Sequence, residues 1–295
     1  MPRLPSLPIK PPMKICLTIS EVRAARREAR DGAKILGLVP TMGALHEGHL
    51  SLVRAAKAQC DVATVSIFVN PTQFGPTEDL AKYPRQFERD CALLEKEGVD
   101  ILFAPTVEEI YPRGNVTWVT VEGLSDKLDG RSRPVHFRGV TTVVAKLFNI
   151  IEPDVAFFGQ KDAAQLAIIR RMVRDLNFPV EIVACPIVRE ADGLAMSSRN
   201  AYLSGEERSR AIVLHRSLEE AEKRFRAGER NSNRLISAAR ELISSEPNVR
   251  VDYLEMVDPE SLEPVEIISG KVLLVVAAYV GTTRLIDNIA LEPTL

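Results

Sequence analysis

The chain has 295 residues, 45% of them hydrophobic, and 38 Lys plus Arg against 40 Asp plus Glu give a formal charge of −2. That length calls for one large domain or two smaller ones, and the composition excludes disorder along the whole chain. Balanced charge argues against a surface built to grip nucleic acid or an anionic membrane, and the longest uncharged apolar run, Val272 to Val280, is far short of the ~20 residues of a membrane helix.

Residues 1–13 carry Pro2, Pro5, Pro8, Pro11 and Pro12, which block regular hydrogen bonding. A disordered or polyproline-like tail is expected, without the apolar stretch of a secretory signal, and Met13 is an alternative start. From residue 34 strands and helices alternate. Lys34–Val39 predicts a strand, Leu50–Cys60 a helix, and Val62–Val69 a strand buried on both faces. Tyr83–Glu97 predicts a helix, Ile101–Ala104 a strand, and Thr117–Val121 a further strand. Arg138–Ile151 reads as a strongly apolar helix, Val155–Phe158 as a strand, Ala163–Leu176 as a helix and Val180–Ala184 as a strand. This rhythm implies crossover units and a Rossmann-like, doubly wound parallel α/β sheet over residues 14–186.

After about Val188 the rhythm changes. Two amphipathic helices, Glu206–Ala227 and Asn233–Ser244, precede strands at Val249–Val257, Val272–Val280 and Leu285–Ala290, with Gly281–Thr282 as a tight turn. A second, smaller α+β domain is expected over residues 187–295, closing as a lid. Cys16, Cys60, Cys91 and Cys185 are far apart and form no CxxC pair, so reduced thiols in a cytoplasmic protein are the plain expectation.

Four stretches carry chemistry. The segment Met42-Gly43-Ala44-Leu45-His46-Glu47-Gly48-His49 lies between the first strand and helix, where phosphates bind in such folds. His46 and His49, two of only four histidines, share one face of a helical turn and suit a phosphoryl group gaining charge. The alternatives are ordinary core or cap histidines and, weaker still, zinc, for which the pattern is one residue short of HExxH. In the second stretch, Asn70 and Gln73 follow a strand and suit hydroxyl or carboxylate recognition, a plain Asn-Pro turn being the alternative. The third runs Gly159-Gln160-Lys161-Asp162, with Gln165 one turn on. There Lys161 suits a phosphate and Asp162 a ribose hydroxyl, unless Asp162 is only a helix cap. The fourth, Val188 to Asn200, holds Met196-Ser197-Ser198-Arg199, two hydroxyls and a guanidinium suited to clamping an anion, a Ser-rich loop with a salt-bridged Arg being the alternative.

Taken together with Tyr83-Pro84-Arg85, residues 133–140 (RPVHFRGV) and residues 281–288 (GTTRLIDN), these motifs resemble the pantoate–β-alanine ligases (pantothenate synthetases), a family of the adenylate-forming nucleotidyltransferases. The resemblance spans Met13 to Ala290. It implies ATP-dependent condensation of pantoate with β-alanine through a pantoyl adenylate, with release of AMP and pyrophosphate. By the same resemblance, ATP would meet Met42 to His49, Gly159 to Asp162, Val188 and Met196 to Arg199. His49 would be catalytic, supported by His46, Lys161, Ser197, Ser198 and Arg199. Gln73 and Gln165 would hold pantoate, Gln73 also lying near β-alanine. Mg²⁺ would touch Asp90, although Arg89 stands where relatives often carry an acid, and Gln160 replaces a common Glu. A homodimer is also implied. Two other readings share parts of the pattern: a nucleotidyltransferase acting on a phosphate ester, and a regulatory nucleotide-binding module. Arg131, Arg133 and Arg138 either touch substrate or support the fold.

Overall fold

The computed structural model of the chain describes residues 12–30, 32–76 and 78–293, so the proline-rich tail up to residue 11 lies outside the described residues. Its first strand, β1 (Lys14–Cys16), and helix α1 (Ile19–Ala29) precede the stretch where the sequence pattern becomes regular. A local signal for α1 is nonetheless present: Thr18 and Glu21 form a capping box, with the Glu21 N–H donating to Thr18 Oγ1 at 3.2 Å and the Thr18 N–H to Glu21 Oε2 at 3.0 Å.

The alternating elements follow: β2 (Leu36–Thr41), α2 (Glu47–Gln59), β3 (Val62–Ile67), α3 (Phe87–Lys96) and β4 (Ile101–Phe103). After short helices α4 (Val107–Ile110) and α5 (Asp129–Ser132) come α6 (His136–Ile151), β5 (Val155–Gly159), α7 (Ala163–Asp175) and β6 (Glu181–Cys185). The six strands form one parallel sheet in the order β1-β4-β3-β2-β5-β6, as the doubly wound expectation requires. One apolar cluster joins β2, β3 and β4 to Leu52, Val53 and Ala56 of α2 and Leu94 of α3. On the other face Leu36, Leu38, Ala156 and Phe158 pack with α1, α6 and α7. Helix α6 is buried at every position except Arg138, Lys146 and Asn149, which explains why its sequence is apolar nearly all round.

Two expectations change. Thr117–Val121 alternates like a strand but pairs with none; instead the Val119 N–H donates to Thr142 Oγ1 at 3.0 Å and Thr141 Oγ1 donates to the Val119 carbonyl at 2.6 Å. Two threonines of α6 thus supply the hydrogen bonds that a neighbouring strand would. The helix expected over Tyr83–Glu97 begins only at Phe87, after the Pro84 break.

The remaining chain forms α8 (Gly205–Ala211), α9 (Val213–Arg226), α10 (Ser232–Ser244) and the antiparallel strands β7 (Val249–Val257), β8 (Val272–Val280) and β9 (Thr283–Leu291). The single helix expected over Glu206–Ala227 is therefore two. Val280 pairs with Thr283, so Gly281–Thr282 is the tight turn expected, with Gly281 at φ +57. The continuous apolar run of β8 has a structural reason. Val272, Leu274, Val276, Ala278 and Val280 pack with α9 and α10, whereas Leu273, Val275 and Ala277 join the core beneath the parallel sheet. Both faces of the small sheet are covered, one of them by the first unit. No helix among the described residues is long and apolar enough to cross a membrane.

Candidate active site

In the parallel sheet, β2 is flanked by β3 on one side and β5 on the other. The chain leaving β2 turns toward β3, and the chain leaving β5 turns toward β6, so their exit loops part and open a crevice at the carboxyl ends of the strands. The β2 loop carries Met42 to His49 and the β5 loop carries Gln160 to Asp162. A cavity of about 960 Å³ opens there, lined by Met42, His46, His49, Gly159, Lys161, Asp162 and Gln165 from the sheet's loops and by Val188 and Met196 to Arg199 from the segment after β6.

Both histidines are oriented by backbone. His46 is the N-cap of α2, and its Nδ1 accepts from the Gly48 N–H at 3.2 Å; the His46 N–H in turn donates to His49 Nδ1 at 3.4 Å. Because each Nδ1 accepts, the neutral tautomer of each ring carries its proton on Nε2. The rings lie 4.1 Å apart between centroids. A side chain at position 48 would collide with the first ring, since its Cβ would fall 2.9 Å from His46 Cε1. Burial, with Lys161 adding, pushes the His46 pKa down to about 4, and burial, with His46 adding, pushes that of His49 down to about 3. At neutral pH both are uncharged donors, fixed before any ligand arrives. The Lys161 ammonium sits 3.7 Å from the Asp162 carboxylate. Asp162 holds the N-cap position of α7 but makes no side-chain cap bond, so capping does not account for its carboxylate.

A second wall is built on the 3₁₀ turn Pro71–Gln73. Asn70 caps it in the ordinary Asn-Pro manner, accepting from the Thr72 N–H at 3.3 Å. Asn70 Nδ2 also donates to Gln73 Oε1 and to the Gly139 carbonyl, both at 3.1 Å. With Oε1 engaged, the Gln73 amide turns its N–H₂ toward Met42, whose Sδ lies 3.2 Å from Nε2. Helix α6 approaches this turn so closely that a Cβ on Gly139 would lie 2.6 Å from the Gln73 backbone. His136 of α6 is buried in the same wall with its Nδ1 3.0 Å from the Gln73 carbonyl, and burial followed by Arg133 pushes its pKa down to about 4.

The roof comes from the segment after β6. Met196 returns beside Val188 in a short hairpin, and a 3₁₀ turn follows at Ser198–Tyr202. Ser197 Oγ caps that turn by accepting from the Arg199 N–H at 3.3 Å, and Ser198 Oγ lies 3.4 Å from the Tyr83 hydroxyl. Arg199 donates through Nε and Nη2 to both oxygens of Asp79, at 3.0 Å each. Beside it Arg133 Nη2 bonds to Glu78 at 2.5 Å.

Some residues expected to meet ATP stand elsewhere. The Ala44 and Leu45 N–H groups donate to the two oxygens of buried Asp90, at 2.8 and 2.9 Å, and Gly43 packs over the same carboxylate. The expected magnesium contact therefore has both oxygens engaged in holding the histidine loop, and Asp90 does not line the cavity. Glu47 points to the surface and pairs with Arg54. Gln160 faces away toward Asn288, with Nε2 3.4 Å from Asn288 Oδ1. Among the three arginines of uncertain role only Arg133 lines the cavity; Arg131 pairs with Glu255, and Arg138 stacks over Trp118 at 4.9 Å. Asp79, Tyr83 and His136 line the cavity although no sequence argument assigns them a role; Tyr83 and His136 do lie inside the YPR and RPVHFRGV motifs. For Asp79 no local signal exists.

A family model described as pantoate-beta-alanine ligase matches residues 14–290. The chain is 63% identical over 293 residues to the pantothenate synthetase of Acidobacterium capsulatum, covering 96% of this chain and 98% of that protein. Among solved structures it is similar to the pantothenate synthetase of Thermus thermophilus, with a TM-score of 0.91 and 47% identity over 95% of this chain and 100% of the other. It is also similar to the pantoate-beta-alanine ligase of Francisella tularensis solved with beta-gamma ATP and beta-alanine, with a TM-score of 0.77 and 33% identity over 94% and 97% of the two chains.

Proposed function

The chain belongs to the pantoate–β-alanine ligase family, and from that premise we propose that it joins pantoate to β-alanine through a pantoyl adenylate formed in the cavity between the β2 and β5 loops. It is a C–N bond-forming ligase of pantothenate biosynthesis with ATP as co-substrate. The observation that carries the mechanism is the meeting, at the switch point of the sheet, of two neutral Nε2–H histidines and one ammonium.

A carboxylate is a poor electrophile, and adenylation cures that. A pantoate carboxylate oxygen attacks the α-phosphorus of ATP, the bond to the bridging oxygen breaks, and pyrophosphate departs with its electrons. Charge on the α-phosphoryl oxygens grows in that step. His49 and His46 donate hydrogen bonds to it from Nε2, while Lys161, Ser197, Ser198 and Arg199 take up charge along the phosphate chain. The depressed histidine pKa values make proton donation by imidazolium an unsuitable role, so both rings act as neutral donors. The neutral amine of β-alanine then attacks the acyl carbon, AMP leaves with the electrons of the C–O bond, and the amine loses a proton as the amide forms. Gln73 and Gln165 would bind pantoate's hydroxyl and carboxylate groups.

Magnesium would enter on the nucleotide, neutralising phosphate charge. Among the described residues no three His, Cys, Asp or Glu side chains converge as a metal cage. Asp162, a carboxylate lining the cavity, fits a contact with phosphate-bound magnesium better than Asp90 does. Residues 187–295 would act as the second domain, shielding the acyl adenylate from water. Family membership also supports a cytoplasmic homodimer. The test is release of pyrophosphate from ATP and pantoate without β-alanine. A single turnover's worth is expected, with pantothenate appearing only once β-alanine is added. Pyrophosphate release that strictly requires β-alanine would rule the stepwise path out.

A further inference from the structure

Two neighbours on β9, Asp287 and Asn288, are buried polar residues inside a sheet whose other contacts are mostly apolar. Adjacent strand residues project to opposite faces, so the two reach different parts of the molecule. Asn288 shares its face with Ile286, which packs against the core of the parallel sheet. Its Nδ2 donates to the Gln160 carbonyl at 3.0 Å and to the Lys161 carbonyl at 2.9 Å. Asp287 accepts both arms of Arg189, at 2.6 and 3.0 Å, and Arg189 opens the hairpin that leads into Met196 and Ser197. Asp287 Oδ1 also accepts from the Asn288 N–H at 2.8 Å, so the two anchors share one peptide group.

The turn carrying Lys161 lacks the usual local support. Asp162 provides no side-chain cap, and the backbone ties of the turn are Gln160 N–H to the Cys185 carbonyl at 2.8 Å and Asp162 N–H to the Gly159 carbonyl at 3.3 Å. A single carboxamide from the second sheet bridges the two successive carbonyls of Gln160 and Lys161. We infer that Asn288 is a positioning residue for Lys161, holding from β9 the turn that aims the ammonium into the cavity, while Asp287 anchors the loop of Ser197 to Arg199 from the same strand. This rests on the phosphate-binding role proposed for Lys161. Without the carboxamide the two carbonyls must find other donors, the turn moves, and a shift of about 1 Å in a charged group costs about a hundredfold in rate.

The test is a double-mutant cycle on the full chain, Asn288→Ala with Lys161→Ala, read by single-turnover pyrophosphate release over a pantoate titration taken to saturation. Asn288→Ala should slow adenylation about tenfold to hundredfold, leave the KM for pantoate within about twofold, and cost nothing further once Lys161 is already alanine. An equal loss in both backgrounds would show support of the fold that is independent of Lys161, and would overturn the inference. So would an undiminished rate in Asn288→Ala when Lys161→Ala is impaired. Should Lys161→Ala itself be unimpaired, the role given to Lys161 falls, and the inference with it. If Asn288→Ala does not fold, Asn288→Thr, better suited to a strand, goes through the same cycle with the same outcomes.

Discussion

The floor and the roof of the cavity are held by different physics. On the floor, His46 and His49 are bonded to backbone N–H groups of their own helix turn, and Asp90 grips the loop before them through two more. On the roof, Arg199 is held by a carboxylate, Asp79, that a phosphate would have to replace. Backbone bonds to neutral rings survive ligand binding unchanged, whereas an ion pair is a contact to be exchanged. Under the proposed mechanism the floor would be preorganised for the charge of the transition state, and the roof would trade partners as the nucleotide enters.

The floor should respond most strongly. Alanine at His49 or Lys161 is expected to slow adenylation about a hundredfold to a thousandfold, roughly 3–4 kcal/mol each, as loss of a preorganised donor does. Losses below threefold at both positions in a single-turnover assay would break the contrast. Asp90→Ala would leave two buried N–H groups unpaired and should lower unfolding stability by about 2–4 kcal/mol, measurable by urea titration. Its magnesium requirement should stay where it was; a large rise would restore Asp90 as a metal contact.

Acid should discriminate next. His46 and His49 stay neutral well below their ordinary value, so the ATP profile of kcat/KM should show no acid limb of histidine origin between pH 8 and about 5. A limb near pH 6.5 that vanishes in His49→Ala would mean a charged ring. Buried His136, held at about 4, binds its proton later than the unfolded chain does. Its stabilising contribution is therefore complete above pH 6.5 and is lost as pH falls toward 4, by up to about 1.4 kcal/mol per pH unit. A His136→Asn variant should show a correspondingly shallower slope. The smallest effect belongs to the roof: Asp79→Ala frees Arg199 from an ion pair worth about 1 kcal/mol and should lower the KM for ATP about fivefold at most. A higher KM would show instead that Asp79 holds Arg199 in its binding position.

Much of this is readable along the chain, and the reason is range. Strand and helix periods, the capping box of Thr18 and Glu21, and the Gly281–Thr282 turn act over a few residues. The order of the motifs likewise places His46, His49 and Lys161 at neighbouring strand ends. Thr117–Val121 misleads because alternation marks a half-buried extended segment, and the pattern is the same whether its partner is a strand or the threonines of α6. For Asp90 the sequence is silent on its partner, because an acidic residue near a phosphate motif looks alike whether it meets a metal or, as the structure shows, a backbone N–H 46 residues away.

The balance of charge says what the surface is not, and the sequence by itself determined the strand–helix alternation of a parallel sheet and put His46, His49, Lys161 and Ser197 to Arg199 in loops next to its strands. Only the tertiary structure decided which of those groups are aimed, and by what. Arg199 meets Asp79 across 120 residues and Asn288 meets the Lys161 carbonyl across 127, pairings that exist only once two sheets have packed on a common core. Such contacts leave no local period in a chain, because their partners are fixed by how the layers close rather than by their spacing along it.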